Sequence, residues 1–231
     1  MPALNSELDL ARQREERARL SGGASLGAVY AMIASCLAAE HEHGATLLDV
    51  GCGAGALRQF VAPFCDRYVG TDLIRYDSFP AAWDFVRADL NGTLPLPEDF
   101  ADIVIAAEVI EHLENPRALM RELVRVARPQ ALIAITTPNQ LSLLSILTLI
   151  FRKRFAAFQD VDYPAHVTAL LEVDLLRIAQ EAGLTQVRLA YSGDGRIPRS
   201  DLKFPAPLSR MLPRAFSDNV MLCGRKSALR G

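Results

Sequence analysis

An apolar run that ends in three alternating glycines is the feature that most constrains how this chain can fold. Residues 47–57 read LLDVGCGAGAL. A near-continuous apolar run is typical of a buried parallel strand, and glycines at its carboxyl end let the backbone turn sharply beside a ligand. A helix that begins after such a turn presents free N–H groups. The stretch therefore predicts a strand, a ligand-binding turn and a helix, with a nucleotide-like molecule over the turn.

Length and composition favour one α/β domain. The chain has 231 residues, of which 50% are hydrophobic, so it can bury a sizeable core. The net charge of −2 gives no general attraction to nucleic acid or membrane, but from residue 186 onward nine Lys/Arg stand against three Asp/Glu. This asymmetry favours an anionic group near the C-terminal part, unless it is ordinary surface variation.

The cysteines and the N-terminal segment bear on the compartment. The four cysteines form no CxxC pair, which is typical of a reducing compartment rather than of a disulfide framework. Residues 1–20 are dense in mixed charge and lack the apolar core of a signal peptide. No stretch approaches the roughly 20 apolar residues that a membrane span needs. We therefore expect a soluble, cytoplasmic protein.

Apolar strands alternate with helical patterns along the chain. The predicted strands are residues 46–50, 67–73, 84–90, 101–107, 131–137, 184–191 and 219–225. The predicted helices are residues 7–20, 25–40, 55–64, 115–127, 141–158 and 171–182. Apolar strands joined by helices form a parallel sheet that is covered on both faces. We expect a domain over residues 45–231, an N-terminal helical cap over 1–44 and a lid insertion at about 140–165.

Several polar features fall where predicted strands end. They are the glycine turn, Asp72, Asp89, Glu108 and the pair Pro138–Asn139. Because ligands of parallel α/β sheets bind beyond the carboxyl ends of the strands, these features are expected to share one edge of the sheet. Their convergence indicates a site more strongly than any one of them alone.

The glycine turn alone does not identify its ligand. Its GxGxG spacing also satisfies, with Ala56, the GxGxxG/A pattern of dinucleotide sites. Asp49, two residues before the first glycine, suits a ligand with a cationic amine, whereas a nicotinamide site needs no carboxylate there. Asp72 could accept hydrogen bonds from two ribose hydroxyls, and Asp89 could bind an adenine amine. Each acid could instead cap a helix or end a strand in solvent.

Four segments together resemble the class I S-adenosylmethionine (SAM)-dependent methyltransferases, in particular the branch of the ubiquinone-biosynthesis O-methyltransferases. They are DVGCGAG at 49–55, GTDL at 70–73, ADL at 88–90 and AEVIEHLENP at 107–116. The resemblance implies a Rossmann-like, seven-stranded, mostly parallel sheet with a reversed last strand and helices on both faces. It also implies SAM as the cofactor and transfer of its methyl group as the activity.

The same resemblance implies nine residues in contact with SAM, grouped by the part of the cofactor that each would meet. They are Asp49, Gly51, Gly53 and Gly55 for the methionine part, Asp72 for the ribose, Asp89 and Leu90 for the adenine, Glu108 beside the methyl donor, and Leu73 as a further contact. Because the sulfonium already activates the methyl group, the protein would supply mainly alignment and desolvation.

Two histidines are the candidates for catalysis. An oxygen nucleophile often needs a base as well as alignment. His112 and His166 are the candidate bases, with Tyr163 a weaker choice. Each histidine could instead have a purely structural role beside a loop or a helix.

A metal site is an alternative role for the same region, although we expect none. Glu108, Glu111 and His112 have i, i+3, i+4 spacing, so a helical turn would bring them onto one face, and His166 could complete the set. Carboxylates and imidazoles suit Mg²⁺, Mn²⁺ or Zn²⁺. The arrangement resembles metal-assisted methylation by the ubiquinone-biosynthesis O-methyltransferases and by small-RNA 3′-end ribose 2′-O-methyltransferases.

The segment over residues 141–158 and the C-terminal part bear on the acceptor. An apolar run over 141–151 is followed by Arg-Lys-Arg at 152–154, which fits a packed lid helix, a peripheral membrane contact or a cover for a lipid-linked substrate. The basic C-terminal residues could meet a phosphate group; they are Arg196, Arg199, Lys203, Arg210 and Arg214. We expect a small-molecule, glycan or lipid-linked acceptor, which could bear phosphate, and no nucleic-acid partner.

Two other functions stay open at the level of sequence. One is an NAD(P)-dependent oxidoreductase, against which Asp49 and the glycine spacing count. The other is a non-catalytic SAM-binding protein, because methyl transfer has no obligatory catalytic side chain. The preferred prediction is a SAM-dependent methyltransferase that acts on an oxygen of its acceptor.

Overall fold

The computed structural model of this chain describes residues 15–16, 18–19, 23–40, 42, 45–200 and 202–228. Much of the helix predicted over 7–20 and part of the cap predicted over 1–44 lie outside these residues. The family and site features predicted from the sequence all lie inside them.

One seven-stranded sheet forms the centre of the fold. Its strands are β1 (Ala45–Val50), β2 (Cys65–Asp72), β3 (Asp84–Arg87), β4 (Ala101–Ala107), β5 (Ala127–Pro138), β6 (Leu184–Tyr191) and β7 (Asn219–Lys226). The strand order is β3-β2-β1-β4-β5-β7-β6. Only β7 runs antiparallel to its neighbours, β5 and β6; the other pairs are parallel. The predicted sheet with a reversed last strand is confirmed.

Six helices with defined bounds accompany the sheet in the described part of the chain, and residues 15–16 and 18–19 are also helical. The six helices are α1 (Gly27–Ala39), α2 (Arg58–Val61), α3 (Pro116–Val126), α4 (Leu143–Arg152), α5 (Glu172–Glu181) and α6 (Ala206–Met211). Two single 3₁₀ turns, Ala62–Phe64 and Ile110–His112, add to them. None of the helices in the described ranges has the length and apolar character that crossing a bilayer needs.

Local sequence explains where the helices begin and end. The Asn115 side chain accepts a hydrogen bond from the Ala118 N–H at 3.0 Å, and Pro116 follows it, so α3 begins there. The predicted helix over 141–158 ends early, because Lys153 adopts a left-handed conformation after Arg152. The segment 192–218, predicted as loop, contains the short helix α6.

Side chains of the buried strands alternate between two cores, one on each face of the sheet. Leu47 packs beneath α1 with Ile33 and other residues of that helix, whereas its neighbour Leu48 faces the opposite core, which includes Leu123 of α3 and Leu175 of α5. Helices therefore cover both faces, as predicted. Loops at the carboxyl ends of the parallel strands are left to form a site.

Candidate functional site

A cavity of about 480 Å³ lies beyond the carboxyl ends of β1, β2 and β4. The turn after β1 and the loops after β2 and β3 form one part of its wall. The loop after β4 and the segment 161–166 form another, and residues just before α1 close over it. Predicted site residues that line it are Gly51, Asp72, Leu73, Asp89, Leu90, Glu108, Glu111, His112 and His166.

The glycine turn is compact because its neighbours leave no room for side chains. Gly51 has φ +74°, and a Cβ there would lie 2.3 Å from Cγ2 of Val109. Gly53 has φ +50°, and its Cβ would lie 2.0 Å from the carbonyl oxygen of Gly23. That carbonyl accepts a hydrogen bond from the Ala54 N–H at 2.8 Å. The turn is thus held between the loop after β4 and the segment before α1.

Asp72 is fixed by the same turn. Its Oδ2 accepts a hydrogen bond from the Gly53 N–H at 2.9 Å, and its Oδ1 is 3.4 Å from the Ile74 N–H donor. Burial raises the pKa of Asp72, while these backbone donors oppose that rise. The carboxylate lines the cavity in a single orientation, so it can accept further hydrogen bonds from a ligand.

Asp89 also lines the cavity and lies in the loop after β3. Its Oδ1 accepts a hydrogen bond from the Asn91 N–H at 2.9 Å, which closes a tight turn. Leu73, next to Asp72 in the sequence, and Leu90, next to Asp89, also line the cavity. The lining thus includes two acids, each followed by an apolar residue, a combination that suits a polar ring system.

Asp49 lies behind the glycine turn rather than in the cavity wall. The carboxylate is buried and accepts a hydrogen bond of 2.5 Å from the Tyr68 hydroxyl. Burial raises its pKa to about 7, and the charge of Asp72 adds to the rise. Gly53 and Gly55 also do not line the cavity in the described part of the chain. The predicted contacts of these three residues with SAM stay predictions.

Glu108 stands at the junction of three strands. It follows β4 with φ +56°, and its Oε1 accepts a hydrogen bond from Oγ1 of Thr136 at 2.8 Å. Its Oε2 accepts one from Nδ2 of Asn219 at 2.7 Å. Burial raises the pKa of Glu108 to about 7 although both donors lower it. A carboxylate held this firmly can face a cationic group without moving.

Glu111 has one oxygen in use and one without a partner. Its Oε2 accepts a hydrogen bond from Oγ1 of Thr137 at 3.1 Å. Its Oε1 is buried and has no hydrogen-bond partner among the described residues. Burial raises the pKa of Glu111 well above its usual value, and the charge of Glu108 adds to the rise. Such an oxygen indicates that a cation or a proton belongs there.

The two candidate histidines lie together beside Glu111. Their ring centroids are 4.8 Å apart. Nδ1 of His112 is 2.8 Å from the carbonyl oxygen of Ala165, and Nδ1 of His166 is 2.5 Å from that of Ala157. Because a carbonyl only accepts hydrogen bonds, each Nδ1 carries the proton, and Nε2 is the acceptor atom in each neutral ring. Burial, and to a smaller extent the charge of His166, lower the pKa of His112 to about 4, although hydrogen bonds to the backbone oppose this.

Ligand atoms of Glu111, His112 and His166 all lie within 4.8 Å of one another. Glu108, the fourth residue of the alternative metal set, is not in this group and has both oxygens engaged elsewhere. The helical turn expected from the spacing is a single 3₁₀ turn, Ile110–His112. His166 joins the group through contacts between this turn and the segment 165–168, which is distant in the sequence. The N–H groups of Val167 and Thr168 both donate to the Glu111 carbonyl at 3.0 Å.

Sequence reasoning missed the residues that hold the acids in place. Tyr68, Thr136, Thr137 and Asn219 each donate to one of the buried carboxylates. Asn219 begins β7 and reaches Glu108 only because that strand pairs antiparallel with β5. No local pattern announces such a contact. For Tyr68 the sequence did offer a signal, because this residue lies on the predicted strand that follows the strand of Asp49 and pairs with it.

The basic C-terminal residues are largely paired with acids. Arg196 contacts Asp218 at 2.5 Å, Lys203 contacts Asp194 at 2.6 Å, and Arg214 contacts Glu172 at 2.9 Å. These pairs offset part of the positive charge that the sequence concentrates there. A phosphate-binding role for this region stays a prediction.

Comparison with known proteins identifies the family. A family model described as "Methyltransferase domain" matches residues 25–189, which is most of the chain. A probable S-adenosylmethionine-dependent methyltransferase of Mycolicibacterium smegmatis is 28% identical over 148 residues, 61% of this chain and 52% of that protein. The mitochondrial ubiquinone biosynthesis O-methyltransferase of Rattus norvegicus is 26% identical over 161 residues, 61% of this chain and 47% of that protein.

A similar fold is found among solved structures. A SAM-dependent methyltransferase of Archaeoglobus fulgidus superposes with a TM-score of 0.60 at 18% identity, covering 85% of this chain and 94% of that one. The chain spans about half the length of the curated relatives that it matches. The predicted family and, at the level of that family, the predicted cofactor SAM are confirmed: this chain belongs to the methyltransferase domain family.

Proposed function

We propose that this protein transfers the methyl group of SAM to an oxygen of a small-molecule, glycan or lipid-linked acceptor. The observation that carries the proposal is the composition of the one cavity described above. Asp72 and Asp89 line one part of it, and Glu111, His112 and His166 line another, with Glu108 as a further acid in the wall. Such a cavity offers hydrogen-bond acceptors for a nucleoside and imidazoles for an acceptor hydroxyl.

The cofactor would bind along the strand ends. Asp72, with Leu73, would hold the ribose hydroxyls, and Asp89, with Leu90, would meet the adenine. The turn at Gly51 would approach the methionine part. Glu108 would lie beside the sulfonium, because a partly buried carboxylate with a raised pKa gains from a neighbouring positive charge.

The reaction is a direct displacement at carbon. When bound, SAM would supply the methyl group: the acceptor oxygen would bond to the methyl carbon as the bond from that carbon to sulfur breaks, and S-adenosylhomocysteine would leave with the electron pair. The hydroxyl proton passes to a base. The pKa of about 4 makes the His112 ring a poor proton acceptor near neutral pH, so His166 is the better candidate for this role.

Titration with S-adenosylhomocysteine tests the cofactor assignment without an acceptor. Asp72→Asn keeps an oxygen for the Gly53 N–H but replaces one acceptor by a donor. We expect an affinity at least about tenfold lower, since a hydrogen bond to a charged group contributes about 1.5–3 kcal/mol. Asp66→Asn, an exposed residue of the same strand, is the control and should bind normally. Equal affinity of the two variants contradicts the ribose assignment.

Turnover is tested with SAM that carries a labelled methyl group. Phenolic, sugar and polyprenyl-linked hydroxyl compounds serve as acceptors, and His166→Gln is compared with His112→Gln. We expect the His166 variant to lose more of kcat than the His112 variant. Binding of NAD(H) with no binding of SAM or S-adenosylhomocysteine would overturn the proposal as a whole.

A second candidate is methyl transfer assisted by a divalent metal ion. It is favoured by the unpartnered Oε1 of Glu111 and by the ligand atoms of His112 and His166, which lie within 4.8 Å of Glu111 and of each other. Glu111, His112 and His166 would hold the ion, which would lower the pKa of an acceptor hydroxyl. Donors of these types suit Zn²⁺ or Mn²⁺.

Calorimetric titration with Zn²⁺ and Mn²⁺ separates the two candidates. Under metal assistance, the wild-type protein binds one ion and Glu111→Gln does not, whereas Glu98→Gln, at an exposed position, binds as the wild type does. If neither ion binds, or if turnover survives exhaustive chelation and Glu111→Gln, the metal-assisted candidate is wrong and the histidine base is retained.

A further inference from the structure

The helix α4 presents apolar side chains to solvent instead of burying them. Its sequence, LLSILTLIFR, contains one charged residue, yet the only buried residue of the helix is Ser145. Ile146, Leu149 and Ile150 share a face at i, i+3 and i+4 spacing and are exposed, and Phe151 is 78% exposed. A helix of a globular protein normally turns such side chains to the core. The exposed face therefore indicates a partner.

Polar contacts hold this helix in its outward orientation. The Ser142 side chain accepts a hydrogen bond from the Ser145 N–H at 3.1 Å and caps the helix. Oγ of Ser145 accepts one from the Ala156 N–H at 3.2 Å. The serine side of α4 is thus fixed to the protein, so the apolar side remains directed away from it.

A basic cluster follows the apolar face directly. Arg152, Lys153 and Arg154 are all exposed, and residues 141–154 contain no Asp or Glu. Arg154 forms an ion pair with Asp160, but both side chains are well exposed and such pairs are weak. Apolar side chains beside exposed cations match the two layers of an anionic bilayer surface, acyl chains and headgroups.

The segment after this cluster leads to the cavity. His166 contacts the Ala157 carbonyl, and Val161 and Tyr163 line the cavity while being 90% and 73% exposed. An exposed valine and tyrosine at the rim continue the apolar character of α4 toward the site. Tyrosine is a side chain that membrane–water interfaces favour.

We propose that α4 and residues 152–163 bind the surface of an anionic bilayer, with Ile150 and Phe151 among the acyl chains and Arg152 and Lys153 at the headgroups. The cavity rim then lies against the membrane, where a lipid-linked hydroxyl would reach it. Binding to the bilayer itself does not rest on methyl transfer, because it needs neither cofactor nor acceptor. The lipid-linked acceptor deepens the proposed function and rests on it.

Sedimentation of the full chain with large unilamellar vesicles tests the proposal. We expect binding to vesicles of phosphatidylcholine with about 30% phosphatidylglycerol, weaker binding to pure phosphatidylcholine, and weakening at about 0.5 M salt. Ile150→Ser/Phe151→Ser should lower the partition coefficient about tenfold or more, because two large apolar side chains no longer enter the bilayer. Arg152→Glu/Lys153→Glu should remove the preference for phosphatidylglycerol.

A control variant and a second measurement keep the outcomes distinct. Val173→Ser/Leu176→Ser replaces two exposed apolar residues on α5 and should bind vesicles as the wild type does. All variants should keep their affinity for S-adenosylhomocysteine, which shows that the cofactor site is intact whatever the vesicles show. Unchanged vesicle binding by Ile150→Ser/Phe151→Ser overturns the proposal. Conversion of a dimer to a monomer by that variant, without vesicle binding by the wild type, overturns it too and identifies α4 as an interface between copies of the chain.

Discussion

Replacing Asp49 by asparagine should stabilise the protein near neutral pH. The carboxylate is buried in β1, and burial raises its pKa from 3.8 to about 7. Asparagine has nearly the same shape, keeps an oxygen for the Tyr68 hydroxyl and carries no charge. The substitution therefore removes the buried charge and leaves the packing and the hydrogen bond in place.

The magnitude follows from the shift of the pKa. An aspartate in the unfolded chain releases its proton near pH 3.8, whereas native Asp49 keeps it until about pH 7. Between these values the native state binds more protons, so the free energy of unfolding of the wild type falls as pH rises. A shift of about three pKa units corresponds to about 4 kcal/mol. Because the neutral amide of the variant mimics the protonated acid, the advantage of Asp49→Asn grows from near zero at about pH 4 to at most about 4 kcal/mol at about pH 8.

Urea denaturation at intervals from about pH 4.5 to about pH 8.5 measures this difference directly. The free energies of unfolding of the wild type and Asp49→Asn should diverge as pH rises and run parallel above about pH 7.5. Tyr68→Phe removes the donor that lowers the pKa of Asp49, so it should be less stable than the wild type at about pH 8. A difference between wild type and Asp49→Asn that is independent of pH, or a variant that is less stable at the alkaline end of the series, would refute the reasoning.

Three further substitutions follow from contacts in the fold. Gly53→Ala should weaken S-adenosylhomocysteine binding in calorimetry, because its Cβ would meet the Gly23 carbonyl at 2.0 Å in a conformation with positive φ. Gly27→Ala, the matched control in open space at the start of α1, should leave binding unchanged and raise stability by up to about 1 kcal/mol. Arg225→Met should lower the free energy of unfolding by about 1–3 kcal/mol near neutral pH, because it removes a cation that pairs with Glu40. Since Arg225 lowers the pKa of Glu40 below 4.5, that loss should disappear as pH falls through this range in urea titrations. A pH-independent effect of Arg225→Met, or Gly53→Ala that binds like Gly27→Ala, would contradict these assignments.

The sheet was predictable because its signals are local. Each buried parallel strand is an apolar run in the sequence. These runs end at, or just before, a turn residue or an acid. Parallel strands then place their carboxyl ends at one edge whatever the details of packing. Asp72, Asp89 and Glu108 meet at the cavity for that reason, and the prediction needed no knowledge of side-chain contacts.

The hydrogen-bond partners and the orientation of each acid could not be predicted in the same way. Sequence spacing indicated that Asp49 suits a cationic ligand, but it did not indicate that a tyrosine of the neighbouring strand donates a hydrogen bond to this carboxylate. The i, i+3, i+4 spacing suggested that Glu108 joins Glu111 and His112, but Asn219 of the returning strand holds it elsewhere. Both outcomes depend on which residues the sheet register brings opposite one another, and register is a property of the whole sheet.

Four acids in or beside the cavity are unfavourable for the stability of the ligand-free protein, and the binding of a cationic cofactor would explain their presence. Burial raises the pKa of Asp49, Asp72, Glu108 and Glu111, so each of them destabilises the ligand-free protein when it is ionised. A residue without a function at these positions would be replaced by a neutral one at a gain in stability. SAM carries an ammonium and a sulfonium, and two positive charges would favour the ionised carboxylates and offset their desolvation. The same acids that weaken the fold near neutral pH are therefore the groups through which a cationic cofactor would stabilise it.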